Sequence, residues 1–316
     1  MPASKSFLIT KNENNQFVPS DIPDTSSGTD YWFHTTRDDK FDTASDMGVT
    51  PGEYDALFSE ITRPYFLAID NNEFLLFLKA VNLNPNSDPE DMVSLRILCD
   101  GKRIITVMNR PIQAVREVRG LTESDSGNIQ SACDILMHLI KNVIFKINKQ
   151  VKKLIEKMEA LEELEDKNSD ISSEQIHDLR RTISRLSRFT SPQVDSLKKL
   201  SAAQLDWKNT SVQQELEDTV NQMSYLNEEI ALLKERSEIL NNELNSKINN
   251  KVNRNLYVIS IISVIFLPLS FITGLLGINV GGIPGTDSDM GFSYVVIISI
   301  VICIFQIILL RIFRWF

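Results

Sequence analysis

The sequence predicts an α+β cytoplasmic domain with a small antiparallel-containing sheet, then a very long stalk helix continuing into the membrane, and two transmembrane helices. Three observations carry that prediction. Between Leu256 and Ile278 lie 23 residues without Asp, Glu, Lys, Arg or His, and between Phe292 and Leu310 lie 19 more; as a helix the first run rises about 34 Å, enough to cross a hydrocarbon core. From Val212 to Leu267 there is neither Gly nor Pro, and apolar residues recur near every 3.5 positions, as in a long helix with one packed seam. Ahead of residue 110, short apolar runs are separated by turn dipeptides, the pattern of antiparallel hairpins.

Taken in order, residues 1–128 read as the α/β part. Phe7-Leu8-Ile9 offers a first strand and Tyr31-Trp32-Phe33 the first strong apolar step. Pro64 to Asp70 and Phe74 to Val81 flank Asn71-Asn72. Val93 to Cys99 and Arg103 to Met108 flank Asp100-Gly101, a dipeptide suited to a type I′ turn. Val93, Leu95, Ile97 and Cys99 alternate with Ser94 and Arg96, which predicts a strand buried on one face.

Residues 129–211 read as cytoplasmic helices. Pro111 is placed to open a short helix just before them. Apolar residues at threes and fours from about Ile129 to Asp166 predict a helix of roughly 35 residues with an acidic end; that end is either a solvated surface or a cation-attracting one. Ser173 to Phe189 predicts a helix rich in arginine (Arg180, Arg181, Arg185, Arg188), expected to pair with the acidic helix, with Pro192 restarting the chain. Residues 206–210 interrupt it, and Thr210 or Ser211 is the expected cap of the next helix. The stalk occupies 212–255, with Leu216, Val220, Met223, Leu226, Ile230, Leu233, Leu240, Leu244 and Ile248 as its seam. The first span is 256–278, the connecting loop 279–291 and the second span 292–311.

Composition narrows the function. A net charge of −9 opposes a nucleic-acid partner, because a phosphate-binding surface needs clustered Lys and Arg. Cys99, Cys133 and Cys303 are spaced for neither a disulfide framework nor a paired zinc knuckle. No secretory signal is visible in residues 1–10. Lys247, Lys251 and Arg254 precede the first span, Arg311 and Arg314 follow the second, and the loop between them has no Lys or Arg, which predicts both termini in the cytoplasm.

The first span carries a polar stripe. Asn253, Leu256, Ser260, Ser263, Leu267, Ser270 and then Thr273 or Gly274 advance by threes and fours, so they share one face, and asparagines continue it towards the stalk. Lipid cannot satisfy hydroxyls and amides, so the stripe faces protein or water. Either the small residues pack helices together, or the face lines a pore, which two spans per chain enclose only when several chains contribute. Neutral oxygens suit a hydrated cation. They hold Zn²⁺ weakly, so no high-affinity metal site is expected in the pore. Pro268 leaves one carbonyl of the preceding turn without its donor, giving a kink or a further oxygen in the pore.

Gly277-Ile278-Asn279, at the outer end of this span, resembles the Gly-x-Asn signature of the CorA superfamily of metal-ion transporters. The wider run from Ile265-Phe266-Leu267-Pro268 through Thr273-Gly274-Leu275-Leu276 to Val280-Gly281-Gly282-Ile283-Pro284-Gly285 is similar to its ZntB branch, bacterial zinc transporters. The Met-Pro-Glu-Leu loop usual in the Mg²⁺/Co²⁺ branch is absent. The resemblance implies a funnel-shaped homopentamer in the bacterial inner membrane whose first spans line the pore. It implies Zn²⁺, alongside other divalent cations, as transported ion with no cofactor, proton-coupled uptake ahead of export, and lipid and sister chains as the other partners. It makes Asn279 the entrance ligand, Gly277 the residue that keeps the mouth backbone close, Thr273, Ser270 and Leu267 the outer lining, and Asn253 and Leu256 the inner constriction. Asp287 and Asp289, the loop's only charges, either concentrate cations or keep the loop solvated.

Two other classes stay in view. No nucleophile-base constellation or phosphate loop is present, which argues against an enzyme. His34, His138 and His177 are far apart and read as core or surface residues. A membrane-anchored coiled-coil scaffold would need neither the stripe nor the Gly-x-Asn end. Within transport, the alternative cargo is Mg²⁺ or Co²⁺, driven by membrane potential alone.

Overall fold

The computed structural model describes residues 6–14, 16–20, 29–38, 47–123, 129–167, 169, 171–278, 283 and 289–312. The chain forms two compact units, Met1–Asn241 and Asn242–Phe316.

In the first unit, β1 (Phe7–Lys11), β2 (Phe17–Ser20), β3 (Tyr31–Thr36), β4 (Tyr65–Ala68), β5 (Phe74–Ala80), β6 (Val93–Cys99) and β7 (Arg103–Met108) form one sheet in the order β2-β1-β3-β7-β6-β5-β4. Both expected hairpins form, with Leu67 opposite Leu75 and Cys99 opposite Ile104. The sheet is larger than the hairpins suggest, because β3 pairs in parallel with β7 and brings β1 and β2 with it. Side chains tie that parallel seam: Trp32 Nε1 donates to Thr106 Oγ1 at 2.8 Å, and His34 Nδ1 lies 2.7 Å from the same oxygen. His34 is fully buried and stacks on Phe7, so it is a core residue.

The helices are α1 (Pro51–Phe58), α2 (Gln113–Thr122), α3 (Ala132–Asp166), α4 (Ser173–Ala202), α5 (Thr210–Leu276) and α6 (Gly291–Ile312). The periodicity does not announce α1, whose one buried residue is Leu57; it starts at a Thr50/Glu53 capping box. It covers the sheet face that carries Leu75, Phe77, Leu98, Ile105 and Val107, while α3 lies against β3, β5 and β7. Hence β6 is buried on both faces, not one. Its arginine shows how: Arg96 donates to the carbonyls of Leu57, Ser59 and Ile61 at 2.9, 2.7 and 3.1 Å, at the C-terminal end of α1. A cation there meets unpaired carbonyls and the negative end of the helix dipole.

Other local expectations change. The Asp100-Gly101 turn is not type I′, since only Gly101 is left-handed (φ 90) among its residues. Asp100 instead uses its side chain, accepting from the amides of Lys102 and Arg103 at 3.0 and 2.6 Å. Pro111 does not open α2, whose N-cap is Ile112. Pro192 does not restart the chain; α4 runs through it, with Pro192 buried and its carbonyl accepting from Ser196 Oγ at 2.8 Å. The cap of α5 is Asn209, whose Oδ1 accepts from the amide of Val212 at 2.9 Å. The acidic helix α3 pairs with α5 through Glu162 and Arg236, and with Lys141–Glu215 at 2.9 Å. Arg185 of α4 goes elsewhere, bonding Asp91 at 2.8 Å. The seam of α5 is buried from Leu216 to Leu240, whereas Leu244 is half-buried and Ile248 exposed.

The 206–209 break binds both hairpin turns. The amide of Asp206 donates to Asn71 O at 3.0 Å, Trp207 Nε1 donates to Asn72 O at 2.8 Å, and the Trp207 ring lies against Gly101. A Cβ on Gly101 would come within 2.3 Å of that ring, so glycine is required there by both its backbone and its neighbour.

In the second unit, the end of α5 and α6 are two helices long and apolar enough to cross a membrane.

Candidate functional site

The candidate site is one face of α5. Among its half-buried residues, Ile261, Ile265, Pro268 and Ile272 step by four, three and four. On α6 the less exposed residues are Gly291, Val295, Ser299, Ile302, Cys303, Gln306 and Leu310. These are the faces the two helices turn to each other. At about 100° per residue, Ser260, Ser263, Leu267 and Ser270 point about 150° away from the α6-facing residues of α5. All four are exposed, as are Asn253, Leu256, Thr273 and Gly274; Leu267 reaches 74% exposure. The small polar residues therefore do not serve the contact between the two spans of one chain.

Their hydroxyls have a common geometry. Ser260 Oγ donates to Leu256 O at 2.8 Å, Ser263 Oγ to Ile259 O at 2.9 Å and Thr273 Oγ1 to Leu269 O at 2.9 Å. Each spends its proton on its own helix and leaves its lone pairs facing outward. The exposed edge of the stripe is thus an array of oxygen acceptors on a neutral wall.

At the end of the helix, the Gly277 amide donates to Thr273 O at 2.9 Å, and a Cβ on Gly277 would lie 3.0 Å from that oxygen. Glycine lets the chain leave the helix without pressing on its last turn. Ile278 is exposed. Asn279 and Asp287 lie outside the described residues, as do Gly281, Gly282, Pro284 and Gly285. Asp289 is exposed, two residues before α6.

The carbonyl that Pro268 leaves without a donor is that of Val264, four residues earlier. It is neither bare nor turned to the stripe alone: Gln306 Nε2 of α6 donates to it at 3.3 Å. Sequence reasoning missed Gln306. The signal was present, since Gln306 is the sole amide in the apolar run from Phe292 to Leu310.

In the first unit, burial governs the perturbed groups. Burial, followed by a hydrogen bond that the protonated Glu73 donates to Glu53, pushes the Glu73 carboxyl up to about 7 even beside Arg103. Burial pushes Cys133 up to about 12 and raises Cys99 well above the usual thiol range, so both are inert thiols at neutral pH. Among the described residues, no three His, Cys, Asp or Glu side chains are grouped to hold a metal ion.

Comparisons with known proteins agree with this architecture. A family model described as CorA-like Mg²⁺ transporter protein matches residues 28–314. The divalent cation transporter CmaX of Pseudomonas aeruginosa is 33% identical over 270 residues, covering 85% of this chain and 81% of that protein. The zinc transport protein ZntB of Vibrio parahaemolyticus is 30% identical over 274 residues, 86% of this chain and 85% of its own. The solved structure of full-length CmaX superposes with a TM-score of 0.82 at 30% identity, covering 99% of this chain and 98% of that one. The CorA magnesium transporter from Methanocaldococcus jannaschii shares the fold at a TM-score of 0.79 and 18% identity, with 98% of each chain covered. On a family match that spans nearly the whole sequence, the chain belongs to the CorA-like Mg²⁺ transporter family and is a divalent cation transporter, not an enzyme.

Proposed function

We propose that this chain forms a homopentamer in the bacterial inner membrane and moves Zn²⁺ into the cell along an axis lined by the polar face of α5. The observation that carries this is the position of the stripe, opposite the face α5 turns to α6. Two helices cannot close a pathway, so sister chains supply the other walls. Self-association has a second support in the first unit. Tyr225, Leu232 and Ile239 are exposed at seven-residue steps along α5, the spacing of a coiled-coil seam.

Outward lone pairs on a neutral wall favour a cation that keeps much of its water. Zinc is bound tightly by thiolates and imidazoles, and the wall offers neither, which suits passage rather than storage. The ion is cargo, and the site needs no cofactor. Zinc rather than another divalent ion rests on the Gly277-Ile278-Asn279 end with its Gly-Gly-Ile-Pro-Gly continuation and on the likeness to the zinc transport protein ZntB. A second reading, Mg²⁺ or Co²⁺, is favoured by the all-oxygen lining, because hard cations take such ligands most readily. In either reading Asn279 acts at the outer mouth, Asn253 and Leu256 narrow the inner end, and Asp287 and Asp289 raise the local cation concentration.

Proteoliposomes test both. Zn²⁺ and Mg²⁺ entry are measured with and without an imposed pH gradient, for wild type and Asn279→Ala. We expect zinc entry that falls at least about tenfold in the variant, since an entrance ligand is removed. Magnesium entry without zinc entry would transfer the assignment to the second reading. Zinc flux indifferent to the pH gradient would remove proton coupling, which the family resemblance implies.

A further inference from the structure

We infer that Gln306 of α6 is a positioning residue for transport: it occupies the gap that Pro268 opens in α5 and so fixes the outer half of the proposed pore wall. The inference rests on the reading of α5 as that wall.

Pro268 has no N–H, and Val264 O is thereby deprived of its helical donor. Within hydrocarbon no water replaces it, and an unpaired carbonyl there is costly. Yet α5 stays helical through Pro268 without a break, from Thr210 to Leu276. Gln306 Nε2 supplies the missing donor at 3.3 Å from the neighbouring helix. An amide in a membrane span is itself unfavourable and needs a reason. Here the reason is visible, because Gln306 sits in the α6 face turned to α5, while Ser299 on the same face spends its hydroxyl on Val295 O at 2.8 Å within its own helix. The other amide atom, Gln306 Oε1, is buried without a partner among the described residues, so the side chain is held there for what its nitrogen does.

Val264 follows Ser263 directly, and its carbonyl lies on the flank between the stripe and the α6-facing side of α5. While Gln306 holds it, that oxygen is withdrawn from the stripe, and the turns carrying Ser270, Thr273 and Gly277 keep a fixed direction relative to Ser260 and Ser263. Without Gln306 the proline becomes an unsupported joint below the outer lining, and a bare carbonyl oxygen becomes available beside it.

A double-mutant cycle in the full-length protein isolates this role. Pro268→Ala restores an N–H to Val264 O, which makes Gln306 redundant. Gln306→Leu is expected to change Zn²⁺ flux in proteoliposomes at least fivefold in the wild-type background and less than twofold in the Pro268→Ala background. Equal effects in both backgrounds would overturn the inference, because they would mean that Gln306 acts through packing alone. So would the absence of any effect in wild type. If Gln306→Leu fails to assemble, recovery of assembly in the double variant supports the inference and failure in both overturns it. If wild type moves neither Zn²⁺ nor Mg²⁺, the pore reading fails by itself. The same cycle read as melting temperature in detergent then judges the Gln306 bond, with additive shifts overturning it.

Discussion

The two units of this chain use polar side chains in opposite ways. In Met1–Asn241 they are buried and answered from within: Arg96 by the carbonyls of Leu57, Ser59 and Ile61, and Trp32 and His34 by Thr106. In Asn242–Phe316 the hydroxyls of Ser260, Ser263 and Thr273 are exposed and satisfied only by their own helix. The first pattern stabilises a fold, since a buried polar group left unpaired costs about 1–3 kcal/mol. The second contributes little to one chain's stability. Its outward oxygens are free to meet something beyond the single chain, which is the place the proposed pore gives them.

The largest expected effect breaks this contrast if it fails. Ser263→Phe should reduce cation flux at least about fiftyfold by filling the stripe with a ring, yet leave the unfolding of Met1–Asn241 within about 0.5 kcal/mol, the range of surface substitutions. A shift in unfolding larger than the loss of flux would make the stripe a packing surface. Next in size is Gly101→Ala. The methyl meets the Trp207 ring and the backbone is left-handed there, so a loss of about 3 kcal/mol is expected from strain and overpacking together. Unfolding followed by the fluorescence of Trp32 and Trp207 measures it. Zn²⁺ entry per assembled protein should change little.

What was legible in the sequence follows the same division. The long helix, both apolar spans and the hairpins are periodic, and a period is a local signal that a one-dimensional reading recovers. The stripe was legible too, because lipid imposes a rule on every residue of a span. The parallel pairing of β3 with β7 was not, since it depends on Thr106 meeting Trp32 and His34 across more than seventy residues. Nor was the burial of Arg96, whose alternation with apolar neighbours reads as a solvent face until α1 is known to cover it. Pro192 and Pro268 both sit inside helices because their surroundings compensate them: Pro192 is buried in the first unit, and Val264 O finds Gln306. A sequence shows the proline and not the compensation. Asn279, the residue on which the resemblance leans most, stands as a proposal to be tested by flux.

Lys79 gives the smallest of these effects and sharpens the comparison from the side of the first unit. It is 5% exposed, its Nζ donates to Met92 O at 3.3 Å and lies 4.7 Å above the Phe189 ring. Burial first, then the charges of Arg96 and Arg188, lower it from 10.5 to about 8. Below pH 8 both folded and unfolded chains carry the proton, and the folded state bears the full cost of a buried cation. Between about 8 and 10.5 the folded chain gives up its proton while the unfolded chain keeps it, so the stability of the first unit rises with pH across that window. At about 1.4 kcal/mol per pH unit the gap corresponds to roughly 3 kcal/mol, part of which the Met92 and Phe189 contacts return. Lys79→Met should therefore stabilise the unit by about 1–2 kcal/mol at pH 7, with the advantage over wild type shrinking to nothing as pH approaches 10.5. A difference between the two proteins that stays constant from pH 7 to 10.5 would mean that Lys79 is not carrying a buried charge, and that the first unit tolerates polar groups by exposure, as the second one does.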